Sequence, residues 1–238
     1  MIELSQVSCR VGGRWVLQDV SLRVPEGEVF GLAGANGAGK SLLLAICATL
    51  VRPAGGTVFI AGRDARAEAR AVRRLIGYLP EEVGWNPQMT VREDLAFFVG
   101  AHGLARDAGR AAAGEALERW GLAPVAGAPV GDLGRGLRRR LGLARALLHG
   151  PRVLLLDDPA AGLDADAREI LWRELRRHAA GGGSAIMASH RADELAAACS
   201  RVGVLAGGFL KDVREARGAG GEGAHAVPPR SDAPGGER

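Results

Sequence analysis

GANGAGKS, residues 34–41, sets four residues between a glycine and a Gly-Lys-Ser triplet, the spacing of a loop that wraps phosphate. It lies between an apolar run, EVFGLA, and a segment with helical character, SLLLAICATL. In that strand-loop-helix setting, glycines let the backbone curl until amide N–H groups and the helix N-terminus surround the β- and γ-phosphates of a nucleotide. Lys40 then neutralises phosphate oxygens, and Ser41 offers its hydroxyl to Mg²⁺. The candidate nucleotide site is Gly34, Ala35, Asn36, Gly37, Ala38, Gly39, Lys40, Ser41 and Leu42. Composition sharpens the reading, because of 31 basic residues only Lys40 and Lys211 are lysines. A chain so biased to arginine that keeps a lysine here needs a compact ammonium, which a broad guanidinium cannot replace.

A second stretch answers the first. VLLLDDPAAGLD, residues 153–164, runs four apolar residues into two carboxylates and a proline. Neighbouring side chains on a strand point to opposite faces, so two charges at its tip predict a strand end opening onto a ligand. A nucleotide-bound Mg²⁺ calls for a carboxylate at the tip of a neighbouring parallel strand, and Asp157 is that group. Asp158 is expected to face the γ-phosphate and the attacking water.

The remaining chain frames these motifs. With 238 residues, 47% of them hydrophobic and 24% charged, it can bury one sizeable core and an embedded second lobe. Its longest apolar stretch, LLLAICATLV at 42–51, is far short of the ~20 residues a membrane helix requires, and MIELSQVSCR lacks a signal-peptide layout. Cys9, Cys47 and Cys199 are widely spaced and odd in number, against a disulfide framework or zinc site. The pI near 9.5 comes with a formal charge of only +4, a weak signal for nucleic acid, and no nucleic-acid partner is expected.

Residues 2–32 read as β-rich, GGTVFIAG at 55–62 as strand, and 83–148 as mostly helical. In LRRRLGLARALLHG, Leu137, Leu141, Ala144 and Leu148 recur at helical spacing, predicting a core-facing stripe with the arginines on the opposite face. After Pro151 the pattern is strand VLLLD, helix DADAREILWRELRRHAA, strand SAIMASH, helix RADELAAACS and a hairpin-like RVGVLAGGFLKD. Strands alternating with helices predict a mostly parallel sheet covered on both faces and divided by a helical insert. From residue 214 on, few large apolar side chains and many glycines and prolines predict a disordered tail over 214–238.

Taken in order, GANGAGKS, IGYLPEE, LGRGLRRRLGLARALL, VLLLDDP, AAGLD and ASH resemble the ATP-binding cassette subunits of ABC transporters, over about residues 1–212. The resemblance implies an α/β fold: a P-loop NTPase core with a mostly parallel sheet, an N-terminal antiparallel β-subdomain and an inserted helical subdomain. It implies a domain over 1–213 with the insert at 83–148, and ATP with Mg²⁺ held by Ser41, Asp157 and Glu81. It further implies Asp158 and His190 as catalytic groups, and a signature segment, Leu133, Gly134, Arg135, Gly136 and Leu137, completing the site of a second cassette. Asp164 would lie at that dimer interface. An integral-membrane permease would be driven through the insert and the loop around Glu81, placing the chain at the cytoplasmic face of the cell membrane.

Four departures from the family pattern bear on rate. Asp158 stands where the family usually has glutamate, and withdrawing a carboxylate by about 1 Å can cost ~10²-fold. LGRGL lacks the serine hydroxyl at Gly134 and carries Arg135 at the first glycine. The adenine-stacking position holds Val11, with Trp15 nearby but out of register, and the lid position that is often glutamine is Glu81. YLPEE followed by TVREDL looks like exporter-type cassettes, so the expected function is ATP hydrolysis powering a separate exporter permease. The alternative is a degenerate cassette that binds ATP with little turnover and completes or regulates a dimer. A soluble cassette acting on DNA or ribosomes fits less well, since the chain carries one cassette and only 91 residues separate Ser41 from Leu133.

Overall fold

The computed structural model describes residues 1–216. β1 (Ile2–Val11) and β2 (Arg14–Val24) form an antiparallel hairpin through Gly12 and Gly13. Both glycines have positive φ, 56° and 80°, as a two-residue turn matched to strand twist demands. β4 (Gly55–Ile60) pairs with β1, and β5 (Arg63–Asp64) with β4, completing an antiparallel sheet in the order β2-β1-β4-β5.

The second sheet has the order β10-β9-β3-β8-β7-β6, from β3 (Val29–Ala33), β6 (Ile76–Leu79), β7 (Val153–Asp157), β8 (Ser184–Ala188), β9 (Arg201–Ala206) and β10 (Phe209–Glu215). All its pairings are parallel except that of β9 with β10. This is the expected α/β architecture. β6 was not expected from the sequence: it is four residues long, and only its pairing with β7 identifies IGYL as strand.

Period-two alternation divides the core between the faces of this sheet. Val153, Leu155, Ile186 and Phe30 face a cluster with Leu43 and Leu44 of α1 (Lys40–Cys47) and the inner residues of the antiparallel sheet. Leu154, Leu156, Ala185 and Met187 face the other cluster, with Leu141 of α5 (Arg135–Leu147), Leu171 of α6 (Ala165–Ala180) and Leu195 of α7 (Ala192–Ala198). Leu154, Leu155 and Leu156 are at most 1% exposed. Burying each contributes about 1.5–3 kcal/mol, which anchors β7 along its length and fixes where its tip emerges.

Between β6 and β7 run α3 (Val91–His102), α4 (Arg106–Arg119) and α5, preceded in the chain by the short α2 (Ala69–Arg73). α3 begins with a capping box: the Glu93 amide donates to the Thr90 hydroxyl and the Thr90 amide to the Glu93 carboxylate. The expected stripe on α5 is present, with Leu141 and Ala144 fully buried. The arginines do not all take the opposite face, because α5 is wedged between the sheet and α3 and has little solvent face at its middle. Arg139 is 7% exposed and Arg145 9%. A guanidinium so buried persists only when its donors are met. Arg145 forks onto Asp94 of α3 and lies 4.0 Å from the Trp85 ring centre and 4.5 Å from that of Phe98.

The expected domain end at 213 falls short. Arg214 pairs with Val202 and Glu215 with Arg201, so the hairpin carries the fold to residue 215. These residues look tail-like because β10 is an exposed edge strand that needs few apolar side chains. The rest of the expected tail, 217–238, lies outside the described residues.

Candidate nucleotide site

The phosphate loop is shaped by its glycines. Gly34, Gly37 and Gly39 have φ of 154°, 78° and 102°, a region that L side chains rarely adopt. A Cβ on Gly34 would stand 2.6 Å from the Leu205 carbonyl oxygen, and one on Gly39 2.9 Å from a Leu17 methyl. The loop is thus pressed between β9 and β2 with no room for side chains at these points. Lys40 Nζ donates to the carbonyls of Gly34 at 2.8 Å and Ala35 at 3.0 Å, spanning the loop as a compact ammonium can. α1 begins at Lys40 with no acidic residue in its first turn and no side-chain cap. Its opening amides therefore face outward for an anion.

At the tip of β7, alternation turns Asp157 to the face shared with Val153, Leu155 and α1, and so toward Ser41. Asp157 is 3% exposed, and among the described residues its Oδ2 has no hydrogen-bond partner. Burial lifts its carboxyl above the ordinary 3.8; the nearby Ser41 hydroxyl opposes the shift, while the charges of Glu81 and Asp158 add to it. Among the described residues no three carboxylate, histidine or cysteine side chains are already gathered as a metal cluster. A buried carboxylate oxygen next to the Ser41 hydroxyl, within electrostatic range of Glu81 and Asp158, offers hard oxygen donors with surplus negative charge. That chemistry fits Mg²⁺. β7 is not the direct neighbour of β3, as expected, because β8 is inserted between them. The insertion brings the end of β8 to the same edge of the cleft.

Asp158, one residue on, has φ of 48°, in the left-handed region. Its amide donates to the Ala188 carbonyl at 2.9 Å. The turn carries its carboxylate to the end of β8, where Oδ2 stands 2.9 Å from His190 Nδ1. A carboxylate oxygen accepts, so Nδ1–H is the donor in this contact and the Nε2 edge of the ring points away from Asp158. Beneath His190, the buried Ser189 hydroxyl donates to Glu194 at 2.8 Å and accepts from the Arg191 amide at 3.1 Å, pinning the turn into α7.

Leu133 is buried, Gly134 caps α5 without a side-chain hydrogen bond, and Arg135 is exposed at the first helical position. A Cβ on Gly136 would come within 2.9 Å of the Gly162 carbonyl, so this segment abuts AAGLD of its own chain. Asp164 caps α6 by accepting from the Ala167 amide at 2.9 Å, and its other oxygen accepts from Arg140 of α5 at 2.6 Å. Among the described residues no hydrogen bond joins Leu133–Leu137 to the phosphate loop. The site thus gathers Gly34–Leu42, Glu81, Asp157, Asp158 and His190, with the signature segment standing apart.

Val11 lies exposed at the end of β1, and Trp15, also exposed, is stacked under the Arg10 guanidinium at 3.9 Å. Val16, rather than Trp15, flanks the phosphate loop beside Gly39. One residue in contact with the site was missed: Arg139 donates to the carbonyls of Asp157 and Asp158. Its only signal in the sequence is the triplet Arg138-Arg139-Arg140 within a segment otherwise patterned for burial.

Farther along the insert, Leu50, Tyr78, Val83, Phe98, His102 and His149 line an apolar groove between α3, α5 and β6. His102 and His149 stack with ring centres 3.7 Å apart, and burial and then the neighbouring ring pull the His149 imidazole down to about 4. Among the described residues no helix is long and apolar enough to cross a membrane.

The chain is 38% identical over 204 residues to a Nod factor export ATP-binding protein I of Burkholderia orbicola (strain AU 1054), a match covering 86% of this chain and 67% of that protein. It is 37% identical over 207 residues to the Rhizobium etli protein of the same name, covering 87% and 66%. The fold resembles a solved ATP-binding subunit of an ABC transporter, with a TM-score of 0.85, 25% identity and 90% of each chain covered. A dimeric bacterial ABC transporter cassette superposes with a TM-score of 0.83 at 25% identity, covering 92% of this chain and all of that one. The family model described as ABC transporter matches residues 17–161, and with these relatives it makes the chain a member of the ABC transporter family, an ATP-binding subunit.

Proposed function

We propose that this chain binds Mg-ATP between the phosphate loop and the β7 tip and hydrolyses it to power a separate integral-membrane permease that exports its substrate. The carrying observation is the Asp158–His190 hydrogen bond one residue from the buried Asp157, whose carboxyl feels the charge of Lys40 and the hydroxyl of Ser41. Gly34–Leu42 bind the phosphates, and Lys40 exchanges its loop carbonyls for phosphate oxygens. Ser41, Asp157 and Glu81 would hold Mg²⁺, which supplies charge neutralisation on the phosphate oxygens. Asp158 orients the attacking water and takes up its developing proton, while His190, its ring held by Asp158 through Nδ1, is oriented toward the γ-phosphate. The export relatives support the direction of transport.

A second cassette would complete the site with its Leu133–Leu137 segment, and Asp164 would lie near that interface. The groove beside Glu81 supports docking of the permease against the insert, which would hold the chain at the cytoplasmic face of the membrane. A slower second reading, a cassette that binds ATP and completes or regulates a dimer, draws on the missing hydroxyl at Gly134 and on the shorter Asp158 side chain.

Steady-state Mg-ATP hydrolysis, with Lys40→Ala as blank, tests the proposal. Turnover by the natural chain above the blank, lost in Asp158→Asn, is the expected result. Turnover only in Asp158→Glu would replace it with the second reading.

A further inference from the structure

Among the described residues, Arg139 hydrogen-bonds only to backbone oxygens. Its Nε donates to Pro159 at 3.4 Å, its Nη1 to Pro80 at 3.0 Å and Glu81 at 3.1 Å, and its Nη2 to both Asp157 and Asp158. A guanidinium carries five N–H donors in one rigid plane, and here five carbonyls meet them. The acceptors come from two segments: the turn after β6 that bears Glu81, and the tip of β7 that bears both catalytic-site aspartates. Burial draws the guanidinium's affinity for its proton down, and the nearby charges of Asp158, Asp157 and Glu81 oppose that. The same group is therefore a counter-charge to Asp157, Asp158 and Glu81 and the brace of their backbone.

We infer that Arg139 is a positioning residue: from α5 of the helical insert it locks the Glu81 turn and the β7 tip into one rigid unit and holds Asp158 in its left-handed conformation against His190. A left-handed residue other than glycine is a local exception, and it persists where its surroundings hold it there. Asp158 is held from both sides, its amide on the Ala188 carbonyl and its own carbonyl on Arg139. Without the guanidinium the carbonyl side of that clamp opens, and the carboxylate leaves His190. Because one planar group serves both segments, a displacement of α5 moves Glu81 and Asp158 together. The inference rests on the Mg-ATP reading for its catalytic consequence, whereas the clamp itself belongs to the nucleotide-free chain.

The test compares Arg139→Gln and Arg139→Lys with Leu171→Ala, a core variant remote from the cleft whose loss of Tm serves as the stability reference. Hydrogen exchange of the nucleotide-free chain should quicken in residues 80–83 and 157–161 of Arg139→Gln, whereas Leu171→Ala should show no such confinement. ATP affinity in EDTA should stay within about twofold, since the phosphate loop is untouched. The Mg²⁺-dependent gain in affinity and kcat should each fall about tenfold with KM little changed, and Arg139→Lys should recover part of both. Equal losses in Arg139→Gln and Leu171→Ala, no localised exchange, or failure of both Arg139 variants to fold would overturn the inference and leave Arg139 a purely structural residue. If the natural chain hydrolyses no more ATP than Lys40→Ala, the proposed function fails, while the exchange and Mg²⁺-binding arms still judge Arg139.

Discussion

The two walls of the nucleotide cleft are built by opposite means. The phosphate loop is a matter of backbone shape: Gly34 and Gly39 pack where a Cβ would strike Leu205 or Leu17, and Lys40 spans it through main-chain carbonyls. The opposing wall is a matter of side-chain charge, with Asp158 and Glu81 bearing electrostatically on Asp157 and one buried guanidinium holding the chain beneath them. The difference shows how each wall fails. A shape made of glycines is insensitive to pH and breaks when volume is added, whereas a wall of carboxylates keeps its shape when one charge is removed but loses its chemistry.

The largest effect should come from adding volume to the first wall. Gly34→Ala forces a Cβ against the Leu205 carbonyl at 2.6 Å in a backbone conformation with φ of 154°. ATP affinity measured in EDTA should fall about a hundredfold, or ~2.7 kcal/mol, with the far-UV circular dichroism spectrum retained. Equal binding by this variant and the natural chain would mean that the loop yields, and the contrast between the walls would fail.

Removing a charge from the second wall should give a mixed result. Burial raises the Asp157 carboxyl above 3.8, so the folded chain holds that proton more tightly than the unfolded chain. The resulting stability is fully present below the unfolded value and is lost as pH rises through the folded one, so at neutral pH the buried charge is a cost. Asp157→Asn should therefore raise Tm at pH 7 by a few degrees, consistent with about 1 kcal/mol in a chain of this size, and flatten the dependence of Tm on pH in the acid range. The same variant should lose the Mg²⁺-dependent part of ATP binding while keeping the part measured in EDTA. Thermal melts across pH and binding titrations with and without Mg²⁺ check both arms.

The smallest effect belongs to the tether between the signature helix and AAGLD. Asp164→Ala removes the cap of α6 and the acceptor of Arg140 together. A lost cap costs about 1 kcal/mol and an exposed ion pair only a few tenths, so Tm should drop by ~2–4 °C. ATP affinity of the isolated chain should be unchanged. A much larger loss would show that α5 depends on this tether as much as the β7 tip depends on Arg139.

Much of the site was legible because its residues occur in short contiguous runs. GANGAGKS carries its own spacing, and VLLLDDP carries the alternation that sends Asp157 and Asp158 to different sides of a strand end. Arg139 was not legible: helical periodicity placed it with the exposed arginines, and its acceptors lie 18 to 59 residues away in sequence. β6 escaped for a similar reason, being four residues whose strand character comes from pairing with β7.

By itself, the sequence determined what local chemistry can determine: the glycines of the loop, the carboxylate pair at the end of an apolar run, the alternation of strand and helix, and with them the family. Only the tertiary structure decided the order of strands that sets β8 between β3 and β7, the left-handed turn that gives Asp158 to His190, and the burial of two arginines on a helix patterned as amphipathic. The physical reason is range. Backbone propensity and side-chain alternation act over a few residues, whereas the partners of a buried charge are chosen by whichever distant carbonyls and carboxylates the packed layers bring within reach.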